Sequence, residues 1–329
     1  MERIRATRVR GFEGRIDVDT TGPGAPLLIG EVHTGLLQHS TALSASTVAQ
    51  VLRLRPGERV GIMDRPIRYA VSPSLLTGVD CRFGGASGGT RVVGAVSSRS
   101  TVTGGHVVQA SSFARITPDS RRRRAVWSHY LARPGVLEPL GGRLADRADE
   151  DFLTSEQPGG GLDLGAINTR LMDVVQSAGL DRRAPFRVPR TRLRWTARHT
   201  TTAHIDFGVE EGHLRSLRLG LAPAAGDPWD EVRSFCEDVA LHDWLLTGLL
   251  HLIDRAVGAD GADAVRRLRP IVDHLLHLWM PAARPDRTTA PLWASLDRQV
   301  GFSRQWDSCA TWVRDRVGLA SLHRPGGPR

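Results

Sequence analysis

The chain has 329 residues, and its 40% apolar and 24% charged fractions exclude a wholly disordered or fibrous polypeptide. It is long enough for two domains, or for one large one, with a core that needs no disulfide or metal staple. All 44 basic residues are arginine against 35 acidic ones, and a net charge of +9 spread over such a chain does not by itself make a nucleic-acid binder.

Residues 1–25 are basic, then rich in Thr, Gly and Pro, and read as a loose lead-in. Leu27–Val32 predicts a strand, and Ser44 predicts the N-cap of a short helix carrying Val48, Val51, Leu52 and Leu54. After a turn at Arg55–Glu58, Arg59–Met63 predicts a second strand. Arg91–Arg99 and His106–Ile116 predict a hairpin closed near Gly104-Gly105, so that residues 26–140 read as a β-rich domain. The run Arg121–Arg124, followed by Trp127, His129 and Tyr130, has the composition of a solvated loop or of a phosphate grip.

Residues 141–162 turn acidic, then Gly/Pro-rich, and read as a linker to an α+β domain over 163–323. Asp163 predicts the cap of a helix with Ile167, Leu171, Val174, Val175 and Ala178 on one face. Residues 190–221 predict three strands in an antiparallel meander with one polar face. From Asp227-Pro228 to about residue 320 the pattern is helical, beginning with the stripe Val232, Phe235, Val239, Leu246, Leu249 and Ile253. Pro270 is expected to break one helix and Gly301 another. The expected class is therefore α+β: a β-rich N-terminal domain, an antiparallel β-meander and a C-terminal helical bundle.

Two constellations could carry function. Arg190, Arg192, Arg194 and Arg198 recur at the strand period, so their guanidiniums line one face at ~7 Å intervals and match a run of phosphates or an acidic helix. A charged edge strand protected from aggregation has the same pattern. On the helices, His242, Asp243, His251, Asp254 and His277 offer imidazoles and carboxylates at helical spacings that could hold a water-activating metal. The segment Ala240-Leu241-His242-Asp243-Trp244 resembles the His-Asp signature of HD-type metal phosphohydrolases. It departs from that family in having Trp244-Leu245 after the pair and no earlier helical histidine.

Other chemistries find no support. Cys81, Cys236 and Cys309 form no CxxC pair, which fits a reducing compartment. A lysine-free chain holds no GxxxxGK loop, and no GxGxxG opens a helix, so no cofactor is expected. Gly84–Gly89, with Ser87, lacks the order around a nucleophilic serine and reads as a hairpin loop. The start lacks the apolar segment of a signal peptide, and Trp244–Ile253 is too short and interrupted to span a bilayer. A soluble cytoplasmic protein is expected.

The phrases Gly30–Gln38, Ala70–Cys81 and Trp127–Gly135 resemble an uncharacterised actinobacterial family, from about residue 26 to the C-terminal helices. Its members are encoded near a variant P-loop protein and a SAM-dependent methyltransferase. The resemblance implies a partner role, with a P-loop protein among the candidates, and carries over no catalytic residue. The favoured expectation is a non-catalytic component binding protein partners. A metal-dependent hydrolase on the helical His/Asp set, and a nucleic-acid binder on the arginine face, are the alternatives.

Overall fold

Ten consecutive residues buried on both faces, Leu27–Leu36 (β1), form the central strand. A strand covered on both sides loses the polar/apolar alternation of a half-exposed one, which is why Leu27, Leu28, Ile29 and Val32 occur without a strict period. Gly30 is required there, since a Cβ would run into the Trp195 indole of the adjacent strand. The computed structural model describes residues 26–64, 67–84, 89–144, 148–154, 160–210, 213–222, 229–259, 261–281 and 289–322. The expected lead-in, the Asp227-Pro228 helix start and most of the Gly84–Gly89 loop lie outside them.

On one side β1 pairs antiparallel with β6 (Val107–Ile116), and on the other with β8 (Thr191–His199). Beyond β6 lies the fourteen-residue β5 (Thr90–Thr103), whose inner edge is shared by β6 and β7 (Val136–Leu140). Its outer edge takes β3 (Arg68–Val71) and β4 (Leu75–Phe83) end to end, with β2 (Gly61–Asp64) outside β3. The β5–β6 hairpin closes as expected over Gly104 and Gly105, at φ of 60° and 70°, where glycine meets no Cβ penalty.

At the far side the expected meander does not form. β10 (Leu214–Leu221) inserts next to β8 and runs parallel to it, while β9 (His204–Val209) is displaced to the sheet edge. Burial explains the order. Leu217, Leu219 and Leu221 of β10 are at most 3% exposed, whereas β9 leaves His204, Asp206 and Val209 in solvent. The more apolar strand takes the interior position and the polar one the edge. Because β8 pairs with β1, strands from both sides of the expected linker share a single sheet.

Helices cover both faces. On one lie α1 (Ala45–Val51), α3 (Ala148–Thr154) and α4 (Leu164–Gln176). Ser44 and Asp163 cap α1 and α4 through the amides of Thr47 and Ala166, as their positions predict. The buried stripe of α4 is Leu164, Asn168, Leu171, Met172 and Val175; Val174, expected inside, is 49% exposed. α3 sits in the segment expected to be a linker. The other face carries α2 (Trp127–Leu131) and the bundle α5 (Trp229–Ala256), α6 (Gly261–His274), α7 (Ala290–Val300) and α8 (Phe302–Leu322). α5 lies between the sheet and its sister helices, so it is buried almost all round, with Val239 and Leu249 fully inside. α6 runs through Pro270 instead of breaking there, and Gly301, left-handed at φ 74°, separates α7 from α8. Among the described residues no helix is long and apolar enough to cross a membrane.

Candidate functional site

The arginine side of β8 is not a solvent face. Alternation places Arg192, Arg194 and Arg198 on the side covered by α3 and α4, where the central β1 contributes Glu31 and His33. Glu31, 1% exposed, accepts from Arg192 Nε (2.9 Å) and Arg194 Nε (3.1 Å), and its Oε1 lies 2.9 Å from His33 Nε2. Burial alone would raise the Glu31 carboxyl. The hydrogen bond from His33 and the charges of His33, Arg192 and Arg194 outweigh it and hold the group at about 2. Arg194 is 4% exposed, its guanidinium 5.9 Å from the Phe152 ring centre on α3. Asp149 of α3 reaches Arg198 (3.3 Å), and Glu150 reaches Arg218 (3.7 Å). Arg190 alone of the four is exposed, just before the strand, with its stem over Gly35. The set is a clamp between β1, β8, α3 and α4. Its carboxylates lie 49 to 163 positions away in sequence, which is why the strand pattern reads as unbalanced charge.

The helical His/Asp set does not converge either. His242 Nδ1 donates to the Asp238 carbonyl (2.7 Å) and Nε2 accepts from the Met280 amide (3.3 Å), so both ring nitrogens are engaged. Asp243 accepts from Arg215 (3.0 Å); burial pushes its carboxyl up while Arg215 opposes the rise. His251 is half-buried further along α5, and Asp254 and His277 are exposed, His277 in the turn after α6. Among the described residues no three His, Cys, Asp or Glu side chains are grouped to hold a metal ion. Each adjacent pair on a helix points in different directions, because neighbours are ~100° apart around the axis.

A different surface combines features that the sequence exposes only in part. β4 is an edge strand over most of its length. Near its end one pairing is seen among the described residues: Arg82 donates to the Gly160 carbonyl (3.2 Å) and accepts from the Leu162 amide (2.9 Å). An antiparallel edge strand turns both backbone groups of every second residue outward. Leu76, Gly78 and Asp80 share the parity of Arg82; β5 flanks them on the inner side, and among the described residues no strand pairs with them on the outer side. Over this stretch lies the Trp127 ring of α2, 3.0 Å from the position a Cβ on Gly78 would take.

Apolar side chains gather around it. Trp127 is 40% exposed, Leu131 50%, Val126 72% and Leu76 37%. Trp127 and Leu131, four apart, lie on one helical face. The arginine run borders the same surface. Arg121 Nε meets the buried Glu138 at 2.6 Å, together with Arg133 and with His129 at 2.9 Å. Arg124 packs over Trp127 (4.8 Å) and faces Asp80 (3.4 Å), which also holds Arg91 (2.7 Å) and whose carboxyl is lowered, first by the Arg91 hydrogen bond. Arg122 and Arg123 are exposed and make no ion pair among the described residues. The run and the aromatics were legible in the sequence; the edge left unpaired among the described residues was not.

No family model, curated protein or solved structure matches the chain. The class is therefore set by architecture: a mixed, mostly antiparallel ten-stranded sheet between two helical layers.

Proposed function

We propose that the chain is a protein-binding component of a larger assembly, and that an extended acidic segment of its partner adds to β4 beside Trp127. The observation that carries this reading is the outer edge at Leu76, Gly78 and Asp80, unpaired among the described residues, beside exposed Trp127, Val126 and Leu131. Strand addition draws affinity from main-chain hydrogen bonds, and aromatic anchors at the centre add most of the rest. Arg122 and Arg123 favour an acidic partner and speed its approach. This reading keeps the partner role but moves it away from the Arg190–Arg198 strand, whose guanidiniums are largely engaged within the chain. The dispersed His242, Asp243, His251, Asp254 and His277 give the hydrolase alternative no supporting geometry. The resemblance to a family encoded beside a P-loop protein makes such a protein the first partner to test.

Capture from a lysate of the source organism, followed by titration of the purified partner, tests the proposal. Leu76→Pro removes one outward N–H at an edge position, where proline is tolerated. It should weaken the complex at least tenfold with an almost unchanged melting temperature, as should Trp127→Ala, while Arg190→Ser should bind normally. Equal affinity for all four proteins would place the interface elsewhere.

A further inference from the structure

A second surface, on the helical bundle, has an unusual distribution of charge. The chain leaving α4 brings Phe186 and Arg187 against the C-terminal end of α5 and the middle of α6. A cleft of about 340 Å³ lies between them, lined by Phe186, Arg187, Leu252, Arg255, Arg266, Arg267 and Pro270. Four of these seven residues are arginine, and none is acidic.

The ion pairs do not balance them. Asp263 holds both Arg266 (3.0 Å) and Arg267 (2.6 Å), and Arg267 also donates to the carbonyl of Arg255 (2.8 Å). Arg187 and Arg255 have exposed side chains with no ion pair among the described residues. Four arginines thus line one hollow, and among the described residues the one carboxylate paired with any of them is Asp263. Like charges repel across such a gap, and a concave low-dielectric wall focuses their field. An anion seated in the hollow would turn that repulsion into attraction.

The shape narrows the class of anion. Phe186 and Leu252 are buried and give the cleft an apolar floor, and Phe186 is fixed by stacking on His274 (centroids 5.8 Å apart). Arginine forks bind phosphoryl oxygens in two-point contacts, so four of them suit more than one phosphoryl group. The volume lies at the small end of the range for ligand pockets, ~300–1,000 Å³. We infer that the cleft between α5, α6 and the Phe186-Arg187 segment binds a small organic phosphate carrying at least two phosphoryl groups, of nucleoside-diphosphate size or less, with its organic body against Phe186 and Leu252. This site lies apart from the β4 edge and does not depend on the docking proposal.

Arg187 and Arg255 provide the test, because neither makes an ion pair among the described residues. Calorimetric titration of the full chain at low ionic strength uses ADP, tripolyphosphate, inorganic phosphate and single-stranded oligonucleotides of increasing length as probes. ADP and tripolyphosphate should bind and raise the melting temperature, with inorganic phosphate at least tenfold weaker. The Arg187→Ser/Arg255→Ser variant should melt like the parent without ligand and bind ADP at least tenfold more weakly. Three results would overturn the inference: no ADP binding at millimolar concentration, undiminished binding by the variant, or affinity that grows with oligonucleotide length while ADP does not bind.

Discussion

Replacing Glu31 by glutamine removes the charge on which His33, Arg192 and Arg194 converge, while keeping the shape of the side chain. The magnitude follows from two routes. The carboxyl lies at about 2 against an ordinary 4.5, which at ~1.4 kcal/mol per pKa unit corresponds to roughly 3 kcal/mol of stability for so buried a group. Removing one partner of a buried ion pair costs about 3–5 kcal/mol, because the remaining charge, here Arg194, stays desolvated. Glu31→Gln should therefore lose about 3–5 kcal/mol at neutral pH. Since the folded carboxyl is depressed, its contribution is present in full above the unfolded value near 4.5 and is lost as pH falls through about 2. Urea denaturation of both proteins at a series of pH values measures the gap, which should be constant from neutrality to about pH 5 and should narrow below it. A gap below about 1 kcal/mol, the value of an exposed pair, or one that does not narrow in acid, refutes the clamp.

Two further outcomes follow from the same structure. Leu249, fully buried in α5, should cost about 2–5 kcal/mol when truncated to alanine, through the cavity left against the sheet; an unchanged urea midpoint would place α5 outside the core. Prolonged dialysis against a chelator should leave the melting temperature unchanged, because both nitrogens of His242 and one oxygen of Asp243 are held by protein groups. A fall accompanied by about one released metal ion per chain, and abolished by His242→Ala, would restore the hydrolase reading.

Local features were legible from the chain alone. The caps Ser44 and Asp163, the Gly104-Gly105 hairpin and the Gly301 break each depend on a few adjacent residues, and each is where the pattern predicts it. The apolar stripe of α5 is likewise a property of one helix, although the near-complete burial around it is not. Part of the proposed interaction surface was also visible, in Arg121–Arg124 and the aromatics that follow.

Tertiary structure decided the rest. Period-two alternation reports that the two sides of β8 differ, but not which side meets water; α3, hidden in an acidic segment with a linker's composition, covers the arginine side. Strand order was equally open, because β9 and β10 can pair as a hairpin whether β9 or β10 lies next to β8. The choice rests on burying Leu217 and Leu219 between two neighbours, a free-energy difference that exists only once β1 and β8 are in place. The charge on Arg192 and Arg194 was written in the sequence; its neutralisation by Glu31, some 160 residues earlier, required the sheet to bring the two strands side by side.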